Sequence, residues 1–149
     1  MGFKFGLETV LKHRKRLEEI AQREFGEAQA AVEACLRELE SMYNRMDEVR
    51  AEILDAQKVG SREKMEEVRG MEGFIDGQKI RIERQRLEAR RLLSVAEEKQ
   101  EALIEAAREK KILVKLKDKR LREYKEWLGR VEAKELDDMT MIRQARRAK

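Results

Sequence analysis

Histidine, cysteine and paired carboxylates are the side chains best able to move protons, electrons or acyl groups. In this chain their spacing supports none of that chemistry. His13 is the only histidine, and it sits among Lys12, Arg14 and Lys15 without a second base or a nucleophile beside it. It reads as a surface side chain. Cys35 is the only cysteine, which excludes an internal disulfide and a cysteine metal cluster. It falls in an apolar heptad pattern, where a small buried hydrophobe is expected. Gly70-x-x-Gly73-x-x-x-Gly77 matches neither the dinucleotide fingerprint nor the P-loop, and no strand precedes it. Carboxylates are plentiful, but a solvated helix pair has no concave pocket to shift their pKa values. The expectation is a protein that is not an enzyme, with no catalytic residue, metal or cofactor.

Composition points to long helices. Charged residues are 44% of the 149, against about 25% in ordinary domains, and proline is absent. Apolar residues still make 41%, too many for a disordered tail. Val32, Cys35, Leu39, Met42, Met46, Val49, Ile53 and Ala56 alternate by three and four, the period of a coiled-coil seam. Backward from there, Ala28, Phe25, Ala21, Leu17, Arg14, Val10 and Leu7 extend the stripe with one stutter. Helix one is expected over about 5–58. Gly60-Ser61 then reads as a helix stop followed by an N-cap, with Glu63 in the next first turn. The alternative is a longer loop reaching Gly73 or Gly77. Val68, Met71, Ile75, Gln78, Ile82, Gln85, Ala89, Leu92, Ala96, Lys99, Leu103 and Ala106 form a second seam, in a helix expected over about 62–145.

A connection this short makes the helices antiparallel neighbours. One register sets Ile53 opposite Met71, Val49 opposite Ile75 and Met42 opposite Ile82; another, one heptad on, fits equally well. In both, helix one runs out before helix two. The expected fold is therefore all-α, a long two-helix antiparallel coiled-coil hairpin in one domain over 1–149, with a protruding C-terminal helix. Polar residues at Gln78, Gln85, Lys99 and Lys110 interrupt the second seam, a pattern that weakens a coiled coil while fixing its register.

Charge is unevenly spread. Residues 78–149 hold 22 basic and 14 acidic side chains, whereas 1–60 hold 10 and 12, so the cationic surplus lies in the second half. Within 110–122, Asp118 alone opposes seven Lys and Arg, and antiparallel pairing brings that segment beside the basic first 16 residues. Such an end suits phosphate, an acidic protein cavity or plain solvent. No helix-turn-helix, zinc finger or RNP motif accompanies it, so nucleic acid is not the expected partner. The opening residues contain no apolar leader, and no stretch reaches the 18 or more apolar residues of a membrane span. Gly2 lacks the Ser or Thr at position 6 that myristoylation wants. A soluble cytoplasmic protein is expected. Tyr43 and Phe74 flank the seams and could widen the core or anchor a partner. Trp127, the sole tryptophan, falls with Tyr124 and Leu128 where helix one ends, which favours docking to another protein.

The opening Phe3-Lys4-Phe5-Gly6-Leu7-Glu8-Thr9-Val10-Leu11-Lys12-His13-Arg14 resembles the N-terminal signature of the flagellar export protein FliJ family. Arg108-Glu109-Lys110-Lys111, Leu113, Leu116, Lys119-Arg120, Glu123-Tyr124 and Lys134-Glu135-Leu136-Asp137-Asp138 look like that family's C-terminal half. The resemblance implies a coiled coil similar to the central stalk of rotary ATPases, which inserts its terminal end into the hexameric flagellar export ATPase and promotes ring assembly and hydrolysis. It also implies contacts with the membrane export gate and with export chaperones, at the inner face of the cell membrane. By position, Phe5, Leu7, Leu11, Arg14, Tyr124 and Asp137 would lie at the ATPase end, where Trp127 joins them on its own exposure. Phe74, Gln78 and Ile82, with Tyr43 across from them, would face the gate. An injectisome stalk homologue, a basic nucleic-acid-binding coiled coil and a homo-oligomeric scaffold remain the alternatives.

Overall fold

The computed structural model describes residues 2–148, and among these there are two helices and no strand. Helix α1 spans Glu8–Val59 and helix α2 spans Arg62–Arg147. The turn between them is the two-residue one. Gly60 takes a positive φ of 69°, a left-handed conformation that costs a side-chain-bearing residue about 1 kcal/mol or more. Ser61 then caps α2: its Oγ accepts the Lys64 amide at 3.1 Å and its carbonyl accepts the Met65 amide at 3.0 Å. Gly70, Gly73 and Gly77 all lie inside α2, so the longer loop does not form. Each costs the helix about 1 kcal/mol relative to alanine.

At the other end, α1 begins three residues later than expected. The carbonyl of Phe5 accepts the Glu8 amide at 3.1 Å, closing a turn over Gly6-Leu7 before the helix starts. Phe5 itself is buried.

The chain divides into two compact units, each built from a stretch of both helices. Unit Ile20–Leu103 holds the apolar core. Met46, Val49, Ile75 and Ile82 are buried together, and Leu39, Met42, Ile53, Met71 and Phe74 pack against them. This is the first of the two registers, with Val49 near Ile75 and Met42 near Ile82. Two glutamines lock it. The Gln78 amide donates to the Met42 carbonyl at 3.0 Å, and the Gln85 amide donates to the Cys35 carbonyl and Sγ, both at 3.2 Å. A buried side-chain amide aimed at one carbonyl penalises every other alignment. Lys99 bridges to Glu24 at 3.2 Å in the same frame. Cys35 is buried, as its heptad position predicted, and that burial raises its thiol pKa, with Glu88 adding to the effect.

Unit Met1–Glu19 with Ile104–Lys149 has a different interior. Leu11 is 1% exposed, whereas Val10, the residue the seam pattern favoured, is 43% exposed. The α1 frame actually runs Leu7, Leu11, Arg14, Glu18, Ala21, Phe25, an unbroken alternation of four and three. The expected stutter is absent. Two charged residues occupy seam positions, and α2 supplies their opposites: Arg14 pairs with Glu109 at 2.8 Å and Glu18 with Lys110 at 2.9 Å. Lys117 pairs with Glu8 at 2.9 Å about two turns nearer the end.

Candidate functional site

Two groups of residues were singled out for recognition, one in each unit. In the terminal unit the aromatic residues meet. The Phe3 ring lies 5.7 Å from Tyr124 between centroids, and Tyr124 lies 6.0 Å from Trp127, both tilted. Such geometry adds roughly 0.5–1.5 kcal/mol per pair beyond area burial. Arg120 sits over the Phe5 ring at 5.5 Å, so a cation caps the apolar turn. Phe5 and Leu11 are buried, and Leu7 is half-buried. Arg14 is half-buried and engaged by Glu109. These four build the platform. The groups that face outward are Tyr124 at its edge, Trp127 at 52% exposure, and Asp137.

Beyond Val131, every described residue of α2 is exposed. Leu136, Met139, Met141 and Ile142 are among them, large apolar side chains that this unit leaves uncovered. Arg143, Arg146 and Arg147 follow, with no acidic residue after Asp138. An uncovered helical arm carrying apolar side chains and a cationic end is what a protein partner can bury. Sequence reasoning missed Phe3 as a ring partner and the three cross-helix ion pairs. The antiparallel register points to two of these pairs, since opposed numbers summing to about 124 set 14 near 109 and 8 near 117.

The ion pairs differ in how deeply they sit. The Glu18 side chain is 13% exposed at its contact with Lys110, while Glu8 and Lys117 are wetter. The hydrogen bond from Lys117 holds the Glu8 carboxyl below the usual carboxylate range, against a smaller desolvation effect.

In the second unit, Phe74 is half-buried under two guanidiniums, Arg81 at 5.3 Å and Arg45 at 5.8 Å from its centroid. Gln78 and Ile82 are buried, Gln78 accepting from Arg81 Nε at 2.9 Å while donating to Met42. Tyr43 is exposed on α1. Of this set, Tyr43 and the cation-flanked Phe74 can touch a partner, and Gln78 and Ile82 support them. A shallow depression of about 300 Å³ lies under the turn, lined by Ala56, Gly60, Met65 and Val68, with Arg69 and Glu72 among its polar residues. His13 is exposed. Among the described residues, no helix is long and apolar enough to cross a membrane, and no three His, Cys, Asp or Glu side chains are placed to hold a metal.

No curated protein and no solved structure compared with the chain gives a match. The family model described as Flagellar FliJ protein matches residues 3–149. That span takes in the Phe5 turn, the aromatic platform, both helices and the uncovered arm, and the chain belongs to the flagellar FliJ protein family, a component of the flagellar protein-export apparatus.

Proposed function

We propose that this protein is the central-stalk-like coiled coil of flagellar export, binding the hexameric export ATPase through its terminal unit and promoting ring assembly and hydrolysis. The observation that carries the reading is the arm of α2 beyond Val131, which is exposed at every described residue while Trp127 stands open at its base. A helix end must be bare to enter a ring, and its cationic flank speeds docking into an acidic channel. Trp127, Tyr124 and Asp137 make the contacts. Phe5, Leu7, Leu11 and Arg14 hold the platform in shape from beneath. The protein contributes no catalytic group, so it changes turnover by binding one conformation of the ATPase better than another.

The same reading assigns Tyr43 and Phe74 to the export gate, backed by Gln78 and Ile82. Export chaperones are further partners, and the working location is the cytoplasmic face of the membrane. The test is the ATP turnover of the cognate ATPase with and without saturating protein. The native chain raises turnover, and Trp127→Ala weakens the apparent affinity for this effect by about tenfold, the loss typical of an interface anchor.

A further inference from the structure

We infer that the face of α2 turned away from α1, between Gly73 and Arg91, is a docking site for a third helix, an acidic amphipathic one supplied by another protein. The seam residues Ile75, Gln78, Ile82, Gln85 and Ala89 turn toward α1. On the opposite side a second heptad frame runs Gly73, Gly77, Ile80, Arg84, Leu87, Arg91, alternating by four and three. Seven-residue spacing puts Gly73, Ile80 and Leu87 in one stripe and Gly77, Arg84 and Arg91 in the stripe beside it. Ile80 is 57% exposed and Leu87 is 55% exposed, so among the described residues nothing covers this frame.

The glycines fit the same account. A Cβ added at Gly73 meets nothing within 4 Å, and at Gly77 the near neighbour is the side-chain end of Arg81, 3.1 Å away, rather than backbone. Packing within the chain therefore does not require these glycines, although the helix loses stability by keeping them. Bare backbone beside an apolar heptad stripe lets an incoming helix approach closely.

Charge decides what the helix is. Residues 79–91 carry Lys79 and five arginines against Glu83 and Glu88. Those two carboxylates are taken by Arg86 at 3.7 Å and by Arg91, whose Nε bond to Glu88 is 2.9 Å. Among the described residues Lys79, Arg84 and Arg90 make no ion pair. A second copy laid on this segment would meet like charge, whereas carboxylates flanking a leucine stripe would meet free cations.

The inference is independent of the ATPase reading, and its test uses no ATPase. A fluorescent four-heptad helix with Leu and Ile in its stripe and Glu on both flanks is titrated with the full-length protein, beside a Lys-flanked counterpart. The acidic helix binds and the basic one does not. Ile80→Ser with Leu87→Ser leaves helicity by circular dichroism unchanged and lowers affinity by about tenfold or more. Arg84→Glu with Arg91→Glu reverses the preference, so that the Lys-flanked helix now binds better. Equal binding of both helices, binding of neither, or native affinity in the double-serine variant would overturn the inference. So would sedimentation showing a dimer of the native chain that the serine substitutions dissolve.

Discussion

Gln78 is the residue on which alignment within its unit turns. Its amide reaches across to the Met42 carbonyl and its carbonyl oxygen takes Arg81, so one side chain satisfies two neighbours inside an otherwise apolar layer. Gln78→Ala removes both bonds and opens a gap between Met42 and Ile82, and should destabilise the protein by about 1–3 kcal/mol in urea unfolding. Gln78→Leu fills the gap without the polar group and should leave stability unchanged or raised. A destabilised leucine variant would mean that polarity, not packing, carries the stability here. Glu8 makes a separate contribution. Because Lys117 lowers its folded pKa, its stabilisation is complete above the ordinary carboxylate range, around 4.5, and is lost as pH falls through the lower folded value. Urea midpoints of the native chain and Glu8→Gln should differ at neutral pH and converge in acid. A constant gap across pH would remove the ion pair from the account.

Helix α2 keeps glycine at Gly70, Gly73 and Gly77 in spite of its length. Gly73→Ala places a methyl group in open space and should stabilise the protein by about 1 kcal/mol, read from the shift in urea midpoint at constant slope. No shift would mean that the helix is already frayed there. At this scale the sequence was legible wherever the seam is apolar. From Val32 to Ala56 and from Val68 to Ala106 the heptads alone identified the inward face, and every residue named for it is buried or half-buried. It was illegible where charge replaces apolarity. The stripe kept Arg14 but ran through Val10 and Leu17 where Leu11 and Glu18 belong, because an apolar pattern prefers Leu17 to a glutamate, and so it needed a stutter. The α2 partner Lys110 is what lets Glu18 sit inward. The start of α1 was misjudged for a related reason, because a turn hydrogen bond at Phe5, invisible to periodicity, occupies the residues that the stripe claimed.

For the whole molecule, the two units divide the labour by composition. One is held by an apolar core with two amide locks, the other by cross-helix ion pairs, an aromatic row and a buried leucine. Of the residues proposed for binding, the sequence singled out Trp127 and Tyr124 by their place past the end of helix one. It did not separate them from Leu11 and Ile82, whose burial turns them into supports. Ion pairs at moderate exposure are screened by salt, whereas an apolar arm is not, so docking should slow at high ionic strength more than it weakens. In the proposed function, the uncovered arm of the terminal unit grips the export ATPase. Steady-state ATP hydrolysis by that ATPase, titrated with native protein and with Trp127→Ala, tests it most directly. Turnover should rise saturably with the native chain, and the curve should move to about tenfold higher concentration for the variant. Turnover unchanged at saturating native protein, or superimposable curves for the two, would contradict it.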